Sequence, residues 1–216
     1  MSVRENLLAL KSQLPEKVTL IAVSKTKPAE AVFEAYEAGQ LDFGENRVQE
    51  LVPKAAALPS GIRWHLIGHL QSNKVKYIAP FVHLIHSVDS LALLKEINKQ
   101  AEKNNRVIHV LLQLHIAQEE TKFGLSFEEA EALLNSEELK SMSHIAVDGF
   151  MGMATNTENM EQVRNEFRSL KNFAEQMRKT GRDLPLLSMG MSSDWKIAVE
   201  EGSSMIRVGS SIFGGR

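Results

Sequence analysis

The sequence contains no cysteine among its 216 residues. This absence excludes disulfide scaffolds, thiol catalysis, and zinc or iron–sulfur sites with cysteine ligands. An excess of charge of one sign is also lacking: Lys plus Arg is 25, Asp plus Glu is 27, and the formal net charge is -2. The charge balance therefore does not favour nucleic acid or an anionic membrane as a partner. No apolar run approaches the length of a membrane span, and the first residues resemble no signal peptide, so we expect a soluble, cytoplasmic protein.

What is present is an alternation of short apolar segments and helical periodicity, in a composition of 43% hydrophobic and 24% charged residues that is typical of globular proteins. Eight apolar segments are predicted as strands: 18–25, 41–44, 63–68, 84–89, 107–117, 146–153, 184–191 and 205–213. Seven segments between them are predicted as helices, and one more precedes the first strand: 28–38, 45–58, 72–79, 90–104, 126–134, 157–178, 193–200 and 3–14.

A strand followed by a helix about eight times predicts a parallel sheet with crossover helices, because parallel neighbours need long connections. Eight such units in 216 residues fit an α/β fold, a (β/α)8 TIM-type barrel with an extra N-terminal helix, near the lower size limit of that fold. A doubly wound open sheet is the main alternative. The linkers are short and of ordinary complexity, so residues 1–216 are expected to form a single domain.

The alternation inside the strands favours closure into a barrel. In the segment 107–117 every even position is apolar, whereas the odd positions include two histidines and a glutamine. One face of a barrel strand must be apolar to meet the helices, and the other fills the lumen, where polar groups are tolerated near the mouth. The same parity directs Lys25 of the first strand and Arg207 of the last strand inwards. Closure makes these strands neighbours, so both side chains are predicted to reach the carboxyl-end mouth, where barrel active sites lie.

Lys25 ends the first apolar strand, within the heptapeptide AVSKTKP at 22–28. A lysine amine that is partly desolvated beside another cation is a candidate nucleophile for a Schiff base with an aldehyde. The alternative is a surface lysine that only marks the end of a strand. Lys27 is expected to be solvated, because it lies beside the helix-starting Pro28.

The loops after the last two predicted strands have features of a phosphate site. The segments 188–194 and 207–214 combine glycines with serines, and barrels often hold phosphate there through backbone N–H groups, hydroxyls and a helix N-terminus. Gly209 would allow close backbone approach, and Ser192 and Ser210 would supply hydroxyl donors. The alternative is that the serines cap a helix and the glycines turn a corner. The choice of phosphate ligands stays open among four serines: Ser188, Ser192, Ser193 and Ser210.

Other polar residues support several interpretations. Asn46, after the second strand, could contact a planar ligand or simply lie near a helix start. Parity places His65 on the lumen side of the third strand. His83 and His86 are three residues apart in a predicted strand, where that spacing points them to opposite faces. Because no cluster with metal-ligand spacing is apparent, we expect no dedicated metal site.

Six blocks in order make the chain resemble the pyridoxal 5′-phosphate (PLP) homeostasis protein family, the YggS-like proteins, over nearly its whole length: 22–28, 43–50, 64–74, 149–154, 187–194 and 207–214. The resemblance implies a monomeric barrel like the N-terminal domain of alanine racemase, without that enzyme's second β domain. It also implies that Lys25 forms the internal aldimine with PLP and that Arg207 faces the pyridine nitrogen. Five further cofactor-binding residues are implied, first the three at the phosphate and then the two near the ring: Ser192, Gly209, Ser210, Asn46 and Met189.

Two positions depart from the family's commoner residues. Leu66 stands where Phe or Met is commoner, which should change packing only. Ser210 stands where Thr is frequent and keeps the hydroxyl. Neither departure threatens the implied binding of PLP.

The implied site favours holding the cofactor over catalysis with it. An arginine beside the pyridine nitrogen disfavours its protonation, and an unprotonated ring is a weaker electron sink. Racemisation also uses a second base, commonly a tyrosine, but Tyr36 and Tyr77 both fall in predicted helices. We expect a protein of vitamin B6 homeostasis without evident turnover that influences amino-acid and keto-acid pools, with PLP-dependent apoenzymes as transient partners. A PLP-dependent racemase is the alternative, and a Schiff-base aldolase is a remote one.

Overall fold

The computed structural model describes residues 2–119 and 123–215. Within these residues eight parallel strands pair in chain order and β1 closes on β8, which makes a closed barrel. The strands are β1 Thr19–Val23, β2 Asp42–Glu45, β3 Arg63–Leu66, β4 Leu84–Val88, β5 Ile108–Leu114, β6 Ile145–Gly152, β7 Leu186–Ser188 and β8 Met205–Val208. The predicted barrel is therefore confirmed, and the alternative of an open doubly wound sheet was wrong.

Helices follow the strands and cover the outer face of the barrel. They are α1 Val3–Lys11, α2 Ala29–Glu37, α3 Val48–Ala57, α4 Val75–Ile78, α5 Leu91–Lys103, α6 Phe127–Asn135, α7 Glu137–Lys140, α8 Met160–Lys179, α9 Trp195–Glu200 and α10 Ser210–Phe213. In α8 the buried residues Val163, Phe167, Leu170 and Ala174 recur every three or four positions, which gives the helix one apolar face toward the barrel. None of the helices in the described ranges combines the length and the apolarity that a membrane crossing requires.

Side chains along the strands point alternately to the outer face of the barrel, under the helices, and into its lumen. Side chains packed between the barrel and the helices include Leu20, Ala22, Ile108, Val110, Ile206 and Val208. A smaller cluster fills the lumen and consists of Leu84, Leu111, Met151 and Met205. Because successive side chains of a strand point to opposite faces, this division confirms the predicted parity of the first, fifth and last strands.

The pairing of β1 with β8 positions the functional residues. Ile21 lies opposite Arg207 in the ladder. Two residues further along, Gly209 approaches Val23 so closely that an added Cβ would stand 2.9 Å from the Val23 carbonyl oxygen. Lys25 follows two residues after Val23. The residues at the ends of β1 and β8 therefore meet at the same edge of the barrel.

The last predicted strand, 205–213, was too long. Strand β8 ends at Val208, and the following residues form the short helix α10. The N–H groups of Ile212 and Phe213 both donate to the Gly209 carbonyl at 2.9 Å. These bonds close a helical turn instead of extending the ladder.

The predicted strand 184–191 is also shorter in the structure, where β7 has three residues. Gly190 has φ 98°, a left-handed conformation that glycine adopts without steric cost. A Cβ at this position would stand 2.6 Å from the Cβ of Ala198. The chain therefore turns at Gly190 toward α9.

Candidate functional site

A cavity of about 440 Å³ opens at the carboxyl end of the barrel, within the range of about 300–1,000 Å³ that is typical of small-molecule sites. The residues that line it are Val23, Lys25, Thr26, Lys27, Asn46, Ile67, Met153, Met191, Ser192, Ser193, Arg207, Gly209, Ser210, Gly214 and Gly215. Lys25 and Arg207 thus line one cavity, as the parity of the first and last strands predicted.

Lys25 is half-buried in the loop between β1 and α2, and the backbone is held on both sides of it. The Thr26 N–H donates to Glu50 Oε2 at 2.6 Å, and the Lys27 N–H donates to the Ser24 carbonyl at 3.0 Å. Thr26 has φ 63°, a left-handed conformation that is uncommon for a residue other than glycine. These hydrogen bonds fix the backbone that carries the Lys25 side chain.

A buried ion pair supports the same loop from the side of α3. The Lys54 Nζ donates to Glu45 Oε1 at 2.5 Å and to the Ser24 carbonyl at 2.8 Å. The Ser24 hydroxyl donates to the same carboxylate oxygen at 2.7 Å. Burial raises the pKa of Glu45 against the opposing effect of its hydrogen bonds from Lys54 and Ser24. Among the described residues Glu45 Oε2 has no hydrogen-bond partner, so the carboxylate depends on Lys54 to compensate its charge.

Arg207 reaches the cavity from β8 and is only 4% exposed. Its Nη1 donates to Ser188 Oγ at 2.6 Å, and its Nη2 donates to the Gly152 carbonyl at 3.1 Å. Burial lowers the pKa of Arg207 to about 10, and the charge of Asp194 opposes this shift. The guanidinium therefore remains protonated at neutral pH, as a cation fixed by two neutral acceptors.

The loops after β7 and β8 meet beside Arg207. The Gly209 N–H donates to Ser192 Oγ at 3.4 Å, so the two loops are in contact. Ser210 begins α10, and the first N–H groups of a helix have no acceptor within it. The Met191 N–H donates to Asp194 Oδ1 at 2.5 Å, which folds the β7 loop back on itself. Hydroxyls and backbone N–H groups, the donors that bind an anion, therefore line this side of the cavity.

Six of the seven predicted cofactor-binding residues line the cavity: Lys25, Asn46, Ser192, Arg207, Gly209 and Ser210. Met189 is fully buried and packs between the barrel and the helices. Its side chain belongs to the core cluster outside the lumen, whereas the preceding Ser188 contacts Arg207 inside the lumen. The prediction that Met189 lies near a ring in this cavity was therefore wrong, and Met153 and Met191 line the cavity instead.

The expectation that Lys27 is solvated is correct only in part, since its hydrogen bond is exposed but its side chain also lines the cavity. Its side chain is half-buried, and its Nζ donates to the Gly215 carbonyl at 2.9 Å. The helix start at Pro28, on which that expectation rested, is correct, since α2 begins at the next residue. The contact with Gly215 joins residues 188 positions apart, and local sequence carries no indication of such a pairing.

The lumen below Arg207 contains two fully buried histidines, His65 and His86. The predicted lumen position of His65 is confirmed. The expectation that His83 and His86 point to opposite faces was wrong, because their ring centroids lie 5.3 Å and 5.2 Å from that of His65. His83 precedes β4, which begins at Leu84, so the alternation of a strand does not apply to it.

Asp42, His65 and His83 bring potential metal-ligating atoms within 4.8 Å of one another. The Asp42 carboxylate, however, accepts two hydrogen bonds from Arg63, at 2.7 Å and 2.5 Å, and lies 3.0 Å from His65 Nε2. Burial raises the pKa of Asp42, but the hydrogen bonds from Arg63 and His65 outweigh burial and the net shift is downward. A metal ion would have to compete with the guanidinium of Arg63 for this carboxylate, so we assign no ion to the group.

Acid is expected to destabilise the protein through the buried histidines. Burial lowers the pKa of His65 and lowers that of His86 well below 6.5. The unfolded chain then binds more protons than the native protein, so the free energy of unfolding falls as the pH drops below the ordinary histidine pKa. For each histidine whose protonation is fully suppressed, the loss between about pH 6.5 and about pH 5 is about 2 kcal/mol. Urea unfolding across this pH range measures it.

His86→Gln removes one of these titrations and is expected to make the decline of stability with acid shallower. His69→Gln, which changes an exposed ring, is the matched control and should leave the decline unchanged. A wild-type stability that stays constant from about pH 7 to about pH 5 would contradict the assignment of neutral, buried imidazoles.

The chain is similar in sequence to proteins that bear one common name and to one family model. The family model described as alanine racemase, N-terminal domain, matches residues 1–216. A pyridoxal phosphate homeostasis protein of Aquifex aeolicus is 43% identical over 199 residues, which cover 91% of this chain and 86% of the relative. The protein of the same name in Escherichia coli K12 is 36% identical over 207 residues, which cover 94% of this chain and 87% of the relative.

Two solved structures extend the comparison. The structure of PipY from Synechococcus elongatus with PLP bound is 39% identical, with a TM-score of 0.90, and the match covers 99% of this chain and 100% of that chain. An alanine racemase of Clostridium difficile is 15% identical with a TM-score of 0.85, and the match covers 100% of this chain and 57% of the racemase. The second similarity concerns the fold alone.

Proposed function

Since the chain belongs to the pyridoxal phosphate homeostasis proteins, within the alanine racemase N-terminal domain family, we propose that it binds PLP in the carboxyl-end cavity and holds the cofactor for release. The observation that carries the proposal is that Lys25 and Arg207 line one cavity of about 440 Å³. An amine, a guanidinium and a pair of serine- and glycine-containing loops suit the aldehyde, the pyridine nitrogen and the phosphate of PLP. The same cofactor is bound in the PipY structure.

Lys25 is the proposed covalent attachment point. Its Nζ would add to the aldehyde carbon, a C=N bond would form, and the aldehyde oxygen would leave as water. The addition of water would reverse these steps and release the cofactor. Lys25 is half-buried rather than enclosed, which keeps solvent within reach for this reversal.

Arg207 is proposed to face the pyridine nitrogen and Asn46 to lie beside the ring. Because Arg207 keeps its positive charge at neutral pH, it would oppose protonation of the nitrogen. PLP supplies an electron sink for carbanion chemistry when its nitrogen is protonated, and an unprotonated ring is a weaker sink. A cation that faces the pyridine nitrogen therefore favours holding PLP over catalysis with it.

The phosphate is proposed to bind where the β7 and β8 loops meet, on Ser192, Gly209 and Ser210. The contact of Gly209 with Ser192 Oγ keeps these groups together. A dianionic phosphate would receive hydrogen bonds from hydroxyls and from the first N–H groups of α10. Charge-assisted hydrogen bonds of this kind contribute about 1.5–3 kcal/mol each.

The double substitution Ser192→Ala and Ser210→Ala is expected to raise the Kd for PLP about tenfold or more, since a loss of 1.4 kcal/mol is tenfold in affinity. Binding of pyridoxal, which lacks the phosphate, should change little. Ser211→Ala alters an exposed hydroxyl of the same helix and is the matched control. Titration of each variant with both ligands measures the four constants, and an equal loss for PLP and pyridoxal would contradict phosphate binding at these serines.

Catalytic racemisation is the weaker alternative, favoured only by the likeness of the fold to alanine racemase. Both tyrosines are described by the structure and lie in α2 and α4, and neither lines the cavity. With no tyrosine there to serve as the second base, exchange of the Cα hydrogen of amino acids for deuterium is expected to be no faster with the protein than with free PLP. Exchange at enzymatic turnover rates would instead establish a racemase.

In the cell the proposed role is to exchange PLP with PLP-dependent apoenzymes and thereby to influence amino-acid and keto-acid pools. The reversible bond at Lys25 and the open cavity support this role. Contacts with apoenzymes would be transient, and the protein would act as a monomer. The names of the relatives as homeostasis proteins agree with a holder of the cofactor.

A further inference from the structure

A continuous series of buried side chains runs through the lumen from the amino end of the barrel to Arg207. Asp42 Oδ1 lies 3.0 Å from His65 Nε2, and His65 Nδ1 lies 2.9 Å from His86 Nε2. His86 Nδ1 lies 2.9 Å from Ser188 Oγ, which accepts a hydrogen bond from Arg207 Nη1 at 2.6 Å. All five residues are at most 7% exposed. The series joins strands β2, β3, β4, β7 and β8 across the lumen.

The chemistry at the two ends fixes the direction of every hydrogen bond. Arg207 can only donate, so Ser188 accepts from it and has its own O–H available for His86 Nδ1. His86 then carries its proton on Nε2 and donates to His65 Nδ1. His65 in turn carries its proton on Nε2 and donates to the Asp42 carboxylate, which can only accept. Each donor therefore has an acceptor, and both imidazoles are neutral with the proton on Nε2.

The carboxylate end of the series is anchored independently of the cavity. Arg63 binds both oxygens of Asp42 through its Nε and Nη2, so Asp42 stays ionised and retains its role as acceptor. His83 lies beside His65, and burial lowers the pKa of His83 to about 4, so this ring adds no charge at neutral pH. The charge of Asp194 also acts on Arg207, where it opposes the lowering of the pKa by burial. The acceptor at Asp42 therefore sets the direction of each hydrogen bond up to Arg207, and the groups between them are neutral.

We propose that Ser188, His86, His65 and Asp42 are positioning residues that hold the Arg207 guanidinium in one orientation toward the ligand in the cavity. This inference rests on the proposed function, since the ligand is taken to be PLP with its pyridine nitrogen toward Arg207. A guanidinium has five N–H donors and can rotate among several acceptors. Here Nη1 has the Ser188 hydroxyl as its acceptor, and the proton of that hydroxyl is donated to His86 Nδ1. The Gly152 carbonyl fixes the second Nη.

The test compares variants that break the series with variants that preserve it. Ser188→Ala removes the acceptor of Arg207, and His86→Leu interrupts the series one step away. His86→Gln preserves it, because an amide can accept from Ser188 and donate to His65. Ser87→Ala changes a neighbouring buried serine that donates to the Gly68 carbonyl and lies outside the series. Thermal unfolding of each variant establishes that it is folded.

The readouts are the absorption band of bound PLP, its Kd, and the nitrogen NMR shifts of the imidazoles without ligand. We expect Ser188→Ala and His86→Leu to shift the band and to raise the Kd about fivefold or more. His86→Gln and Ser87→Ala should stay near the wild type. In the wild-type protein both imidazoles should be neutral and protonated on Nε2.

Two results would overturn the inference while leaving PLP binding intact. One is a wild type that binds PLP while Ser188→Ala and His86→Leu keep its band and Kd. The other is protonation of His65 or His86 on Nδ1 in the unliganded wild type. A wild type that does not bind PLP would instead overturn the proposed function, and with it the ligand toward which Arg207 is positioned.

Discussion

Replacement of Lys25 by alanine is expected to abolish the absorption band of the Schiff base and to leave only weak, non-covalent binding of PLP. Lys25 lines the cavity together with Arg207, Ser192 and Ser210, so the variant keeps the groups proposed to bind the ring and the phosphate. It lacks only the amine that forms the covalent bond. Loss of a reversible covalent bond should raise the Kd at least about a hundredfold, equivalent to about 2.7 kcal/mol.

Absorption spectroscopy and equilibrium dialysis measure the two effects separately. Lys76→Ala, which changes an exposed lysine of α4 outside the cavity, is the matched control and should retain both the band and the affinity. Lys27 is the competing nucleophile, because it lines the same cavity. A variant Lys27→Ala that loses the band while Lys25→Ala keeps it would overturn the assignment of the attachment point.

Lys54→Met is expected to lower the free energy of unfolding by about 3–5 kcal/mol, because removal of one partner of a buried ion pair leaves an uncompensated charge. Glu45 is fully buried, and Lys54 is the cation within 2.5 Å of its carboxylate. The variant also removes the donor to the Ser24 carbonyl, next to Lys25. We therefore expect PLP binding to weaken together with stability.

Urea denaturation of matched variants tests this prediction. Lys140→Met breaks an exposed pair with Glu137, whose side chains are 57% and 85% exposed, and should cost at most about 1 kcal/mol. The double variant Glu45→Leu, Lys54→Met replaces both charges by apolar groups and should recover most of the loss. If Lys54→Met is no more destabilising than Lys140→Met, the Glu45–Lys54 pair does not stabilise the loop that carries Lys25.

The barrel and the shared cavity of Lys25 and Arg207 could be predicted from the alternation within strands and the topology of a barrel. Alternation along a strand decides which side chains face the lumen, and closure of the barrel makes the first and last strands neighbours. The residues at which strands β7 and β8 end could not be predicted in the same way. The apolar residues Ile212 and Phe213 suit a strand as well as a short helix, and the helical turn depends on the backbone of Gly209.

The parts of the site that sequence did not reveal are pairings across the fold. Glu45 follows a predicted strand, but nothing local indicates that Lys54 reaches back to it from α3. The lumen position of His65 followed from parity, whereas its contacts with Asp42 and His86 required the register of three strands. Met189 was misplaced because a resemblance assigns a residue to a neighbourhood without deciding which face its side chain takes.

Borohydride reduction of the PLP-loaded protein, followed by peptide mapping, tests the shared cavity of Lys25 and Arg207 most directly. Reduction converts the C=N bond into a stable amine and so marks the lysine that held the cofactor. We expect the pyridoxyl group on the peptide that contains Lys25, and we expect Arg207→Leu to alter the absorption band before reduction while the label stays on Lys25. A pyridoxyl label on any other lysine, or an absorption band that Arg207→Leu leaves unchanged, would contradict a shared PLP site of Lys25 and Arg207.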